Sequence, residues 1–215
     1  MKNILVTGFD PFGGESINPA LESIKQLKGL LVGEYQVVIR EIPTVFGLSC
    51  ERLIEAVEET NPDIVICVGQ AGGRPDITVE RVAINVNDAR IPDNEHNQPI
   101  DTPIIEGGPV GYWSTLPIKA MVKDMRESGV PASISQTAGT FVCNHLFYGL
   151  MHYVAQSGKA IRGGFIHIPF LPEQAVHHTG QPHMSMETIV KGLKVAIESA
   201  VNYEKDLLIS GGQVS

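Results

Sequence analysis

Five apolar runs of strand length punctuate the chain: NILVTGF (3–9), YQVVIREI (35–42), DIVICVGQ (63–70), ASISQTAG (132–139) and IRGGFIHIPF (161–170). Between them the period changes to that of helices. Asn18 followed by Pro19 offers an N-cap and a first helical residue for a helix reaching about Lys28, and Ser49 offers a cap for one reaching about Thr60. A third helix is expected to start near Ser114 or Thr115. Leu146, Phe147, Leu150, Met151 and Val154 recur at helical spacing, predicting an amphipathic helix from about Cys143 to Gln156. Ile189, Leu193, Ala196, Ile197 and Ala200 do the same for a helix after Ser185. Strands alternating with helices imply an α/β fold with right-handed crossovers and a mainly parallel sheet covered on both faces. The run Ile64 to Val68 suits a central strand buried on both sides.

Two stretches break this rhythm. ITVERVAINV (77–86) is strand-like in composition, but Glu80 and Arg81 interrupt its alternation. Residues 87–112 are rich in Pro, Gly, Asn and Asp and have no helical period; loops this long tend to be functional, interfacial or built on a hidden hairpin. With 215 residues, no linker and no internal repeat, residues 1–215 are expected to form a single domain. The composition, 43% hydrophobic and 19% charged, is that of a globular protein rather than a disordered or membrane-spanning one. A net charge of -8 without a basic stripe argues against nucleic acid as a partner. Asp10 and Pro11 interrupt the opening apolar run before a signal-peptide core forms, and three widely spaced cysteines match no disulfide framework or CxxC metal pattern; a reduced, cytoplasmic protein is expected.

The chemistry concentrates in a few segments. TGFDPFGGE follows the first strand, but Gly14 and Glu15 stand where a phosphate loop needs lysine and hydroxyl, so a pocket wall built from Phe9 and Phe12 competes with a plain packed turn. In VGQAGGRPD, Gln70 can supply both a donor and an acceptor. Cys143 opens a helix, where unpaired N–H groups and the helix dipole favour a thiolate and an oxyanion alike. Cys50 and Cys67 read as packing residues. His145 and His152 lie on the helix after Cys143; His177, His178 and His183 form a polar loop whose spacing matches no metal site. His167 is different, since it sits in an apolar strand near its carboxyl end, where ligands gather in parallel sheets. A carboxylate orienting His167 would complete a triad, with Glu80, Asp10, Asp88 and Glu173 as candidates that spacing does not separate.

These residues lie in long segments, ILVTGFDPFGGESINPA, VGQAGGRPDITVERVAINVNDARIPDN, TAGTFVCNHLFYGLMH and GGFIHIPFLPEQA followed by SMETIVKGL, through which the chain closely resembles the pyroglutamyl peptidase I family of intracellular cysteine peptidases. The resemblance implies a three-layer α/β/α sandwich with a twisted central sheet, no cofactor, no metal, and a homotetramer. It implies a catalytic triad of Glu80, Cys143 and His167, with the Cys143 N–H and Arg90 as candidate oxyanion donors. The implied reaction is removal of an N-terminal pyroglutamyl (5-oxoprolyl) residue from peptides. The small, flat, uncharged lactam would meet walls of Phe9, Phe12 and Phe141, lesser contacts from Thr44, Ile91 and Val142, and Gln70 at its polar end. The His-rich loop and the tail after about Tyr203 match no functional motif. The rival readings are a noncatalytic small-amide-binding α/β protein, in which Cys143 is packing, and a metal-dependent amidohydrolase.

Overall fold

The structure, a computed structural model, describes residues 1–212. Its elements in chain order are β1 (Lys2–Phe9), α1 (Pro19–Lys25), β2 (Leu31–Val32), β3 (Tyr35–Ile42), α2 (Leu48–Thr60), β4 (Ile64–Gln70), β5 (Ile77–Glu80), β6 (Val82–Ile84), β7 (Gly111–Trp113), α3 (Ile118–Glu127), β8 (Ala132–Ser135), α4 (Val142–Ser157), β9 (Arg162–Ile168), α5 (Pro172–Ala175) and α6 (Met186–Asn202). Seven strands form one sheet in the order β2-β3-β1-β4-β9-β5-β8. β3, β1, β4 and β9 run parallel, β5 lies antiparallel to β9, and β8 lies parallel to β5.

Alternation along the central strands divides the core in two. Ile4, Val6, Ile64, Ile66 and Val68 face α1, α3 and α6, whereas Leu5, Val65 and Cys67 face α2 and α4. All of β4 except Gln70 is buried, as expected for a strand covered on both sides. Among the described residues no helix is long and apolar enough to cross a membrane.

The boundaries differ from the sequence pattern where long-range contacts intervene. Thr115 N–H donates to Gly163 O and Gly163 N–H returns a bond to Thr115 Oγ1, so residues 114–115 join β9 instead of starting a helix. Helix α3 begins at Ile118, and the first-turn N–H groups of Lys119 and Ala120 are capped by the Asp206 carboxylate, from the tail, at 3.0 and 3.1 Å. Ser49 does not cap α2: it lies inside the first turn, and its buried hydroxyl has no hydrogen-bond partner. Helix α1 ends at Lys25, because Gln26 and Leu27 bond three residues back, to Ser23 and Ile24, and tighten the chain into a turn. The 77–86 run splits at Arg81. Its first part, β5, joins the large sheet, and its second, β6, pairs with β7 in a separate two-stranded sheet. The irregular 87–112 segment thus contains the return of a hairpin.

Gly8 allows α1 to seat directly on β1: an added methyl would lie 2.8 Å from Leu21 N and 2.9 Å from Leu21 Cα, backbone atoms that cannot swing aside. Gly8→Ala is expected to cost about 1–3 kcal/mol, read as a fall of about 2–4 °C in melting temperature per kcal/mol. An unchanged melt would rule out this close seating of α1.

Candidate active site

Parallel pairing of β4 with β9 brings Gly69 beside His167 and Gln70 beside Ile168 at the carboxyl ends of both strands. On the other flank, antiparallel β5 sets Thr78 opposite His167 and brings Glu80 within reach of the ring. His167 Nδ1 and Glu80 Oε1 are 2.7 Å apart, with Glu80 fully buried and His167 only 3% exposed. An ionised carboxylate only accepts, so the Nδ1 proton points at Glu80 and Nε2 is left as the acceptor of the neutral ring. The same oxygen accepts from Arg74 Nη1 at 2.6 Å; Arg74 also donates to Thr78 Oγ1 and to Thr137 O.

Cys143 is the second residue of α4, ahead of the first helical hydrogen bond, from His145 N–H to Phe141 O. Its N–H is therefore one of the unpaired donors of the first turn. Gly69 leaves it room, since a methyl there would lie 3.0 Å from Cys143 Sγ and 2.8 Å from the Phe165 ring. Cys143 and His167 line one cavity of about 540 Å³ but are not hydrogen-bonded to each other. Phe12, Gln70, Arg90, Ile91 and Phe141 share that lining, and Phe12 and Phe141 face one another at 6.2 Å. Phe9, Thr44 and Val142 do not reach it. Phe9 packs on Phe165, Thr44 donates its N–H to Asp10 Oδ1, and Val142 is wholly buried in the α4 core. Of the four carboxylates that spacing left open, Glu80 is the one on His167; Asp10 holds Thr44, while Asp88 and Glu173 are exposed.

A sequence model of the pyroglutamyl peptidase family matches residues 2–203. The pyrrolidone-carboxylate peptidase of Brevibacillus brevis is 66% identical over 215 residues, covering 100% of both chains. The chain belongs to the pyroglutamyl peptidase family. A second relative, the pyrrolidone-carboxylate peptidase of Bacillus cytotoxicus, is 64% identical over 99% of each chain. Among solved structures, pyroglutamyl peptidase I of Bacillus amyloliquefaciens superposes with a TM-score of 0.94 at 53% identity, covering 96% of this chain and 100% of that one. A mutant pyrrolidone carboxyl peptidase of Pyrococcus furiosus gives 0.91 at 46% identity, covering 93% and 98%. This family member is accordingly a cysteine-type hydrolase with the α/β architecture of those structures.

The electrostatics of the site set the resting state of this peptidase. Burial opposes the charge of Glu80, but the His167 hydrogen bond and the Arg74 guanidinium outweigh it and hold the carboxyl below its ordinary range. Its second oxygen, Oε2, is buried without a bonded partner; the nearby Ser135 hydroxyl, now donating to Thr137 O, is the group able to turn to it. Burial lowers His167, and Glu80 only partly offsets that effect. Burial pushes the Cys143 thiol from 9.0 to about 12, with Glu80 adding to the rise and Arg74 opposing it. A helix N-terminus contributes at most ~2 kcal/mol, equivalent to about 1.5 pKa units. That is less than the rise, so the thiol depressed by the helix that the sequence suggested gives way to a neutral thiol beside a neutral imidazole.

The sequence pattern does not single out Arg74 or Asn144, and it places His145 on the helix after Cys143 without a role. Arg74 carried a signal in principle, because an acid buried in a strand needs a cation. Asn144 and His145, directly after Cys143, tie its turn to two loops. Asn144 accepts from Ile84 N–H and donates to Ile84 O and Val86 O. His145 Nε2 accepts from Gly47 N–H at 3.0 Å, so its Nδ1–H donates to Asn87 Oδ1, also at 3.0 Å. Both ring nitrogens are engaged as a neutral imidazole, and burial pushes its pKa down to about 4. The unfolded chain binds a proton at an ordinary 6.5, so the contribution of His145 to stability is intact above that value and is lost as pH falls toward 4. Between pH 7 and 4 the protein is expected to lose roughly 3 kcal/mol more stability than the His145→Gln variant, measured by urea unfolding. Parallel pH profiles would show that His145 is not the group responsible.

Proposed function

We propose that this family member hydrolyses the bond after an N-terminal pyroglutamyl residue through a thioester on Cys143, with His167 as base and Glu80 as its orienting carboxylate. The observation that carries the reading is the His167–Glu80 hydrogen bond of 2.7 Å, buried at the back of the cavity that holds Cys143. Because the resting pair is neutral, thiolate forms as attack occurs: substrate binding closes the gap between Sγ and Nε2, and His167 takes the proton while Sγ bonds to the scissile carbonyl carbon. Glu80 fixes the tautomer and supports the imidazolium that results. The carbonyl oxygen, now an oxyanion, is held by the Cys143 N–H and by Arg90, whose exposed guanidinium is at the cavity wall. His167 returns its proton to the leaving amine as the C–N bond breaks. It then takes a proton from water as the water oxygen bonds to the thioester carbon, and gives it to Sγ as the C–S bond breaks and pyroglutamate leaves.

The lining suits a flat neutral ring. Phe12, Phe141 and Ile91 supply apolar surface and Gln70 a polar end; Asp88 is the carboxylate in the lining, and Glu15, next to Gln70 through Gln174, is already engaged with His178 and Gln174. A site that hydrogen-bonds a lactam rejects rings lacking its polar groups, because its own donors are left unpaired.

Release of the arylamine from a pyroglutamyl arylamide tests the reading. Wild type is expected to turn it over, Cys143→Ala to lose about 10⁴-fold or more, and the prolyl arylamide to be a poorer substrate by about 10⁴-fold. A folded, reduced wild type without turnover would favour a binding protein instead.

A further inference from the structure

Gln70 is one end of a hydrogen-bonded relay that runs out of the cavity through residues with no part in the chemistry above. Gln174, in α5, is 2% exposed, and its Oε1 accepts the Leu171 N–H at 3.1 Å. That bond fixes its amide orientation, because a backbone N–H can meet only the oxygen. Its Nε2 must then donate, and it donates twice: to Glu15 Oε2 at 3.2 Å and to Gln70 Oε1 at 3.0 Å. Glu15 Oε1 in turn bonds His178 Nε2 at 2.6 Å, and the His178 ring stacks on Phe170, itself part of the cavity lining. The His178 hydrogen bond holds Glu15 below the usual carboxylate range against the effect of burial, which keeps it a pure acceptor.

Polarity thus passes in one direction, from the Leu171 N–H through Gln174 to Gln70. With its Oε1 occupied, Gln70 keeps its Nε2 as the uncommitted end of a side chain that lines the cavity. We infer that Gln174, anchored by Glu15, is a positioning residue that locks the Gln70 amide with its donor toward the substrate, so that the side chain reads the ring carbonyl of the lactam and not its N–H. The inference rests on the pyroglutamyl reading above. In the same way Glu15 and the His-rich loop gain a role, since they hold α5 against the loop after β1 and, through it, the polar end of the pocket.

Exchanging the two relay residues, Glu15→Gln with Gln174→Glu, keeps the charge count and lets every hydrogen bond in the relay be remade. Glu at 174 accepts from Leu171 N–H and from Gln at 15, but it now also requires a donor from Gln70, whose amide must flip and turn Oε1 to the cavity. With the pyroglutamyl arylamide, KM is expected to rise about tenfold or more, since a buried polar group would be mismatched, while kcat stays within about threefold and the melting temperature stays near that of wild type. A purely structural role predicts that the exchange restores KM. KM within about twofold of wild type, or a loss confined to kcat, would overturn the inference. Should the exchange fail to fold, Gln174→Met, which frees Gln70 while filling the volume, decides it by the same KM criterion. Wild type run alongside separates the two levels: turnover with unmoved KM sinks the relay alone, whereas no wild-type turnover sinks the pyroglutamyl reading and the relay with it.

Discussion

A carboxylate with no exposed surface is costly unless its charge is matched, and Glu80 is matched through a single oxygen that accepts from both Arg74 and His167. Removing one partner of such a buried pair typically costs about 3–5 kcal/mol, so the arrangement constrains everything it touches. β5 must end where Glu80 faces His167, and the chain leaves the large sheet at the next residue. The loop after β4 must return Arg74 to the same spot. Arg74 then reaches Thr137, which fixes the approach to the turn carrying Cys143. The oxygen that orients the imidazole is thereby also a structural junction between β5, the 71–76 loop and the 136–141 loop.

Cys143 is held from its other side by the two residues that follow it. Asn144 grips β6 and Val86, and His145 joins the start of α2 to Asn87. Asp88 and Thr140 exchange bonds across the same gap, Asp88 N–H to Thr140 O and Thr140 Oγ1 to Asp88 O. The long 87–112 segment is thus stitched to the head of α4, which explains how a stretch with no regular period comes to present Arg90 and Ile91 to the cavity. In this protein the segment GTFVCNH is less a reactive cysteine in a core than a cysteine whose neighbours assemble the walls around it.

Much of this was legible in the sequence, for identifiable reasons. The strands β1, β4 and β9 stand out because a strand buried on both faces needs a continuous apolar run, and α4 and α6 because one face of each must be apolar. Even the disruption at Glu80 and Arg81 marks a real event, the point where the chain changes sheets. What could not be read depends on residues far apart in the chain. The start of α3 is set by Asp206, 87 residues away from the N–H it caps, and by the tie of Thr115 to Gly163. Arg74 is a nearer case, six residues before Glu80, but it looks like one polar residue in a glycine-rich turn, and that both meet at His167 depends on β5 lying against β9. The thiol of Cys143 follows the same rule: helix position is visible in sequence, whereas the burial that outweighs it is not.

If one buried oxygen balances Arg74 against His167, the two charges must pull the acid limb of kcat/KM in opposite directions, since Glu80 raises the His167 pKa and Arg74 lowers it. The decisive measurement is that limb in wild type, Glu80→Gln and Arg74→Met, with a pyroglutamyl arylamide. A balanced oxygen places the limb below the ordinary 6.5 in wild type, at lower pH in Glu80→Gln and at higher pH in Arg74→Met, with reduced plateaus in both. Limbs that coincide, or that move the same way, would refute the balance.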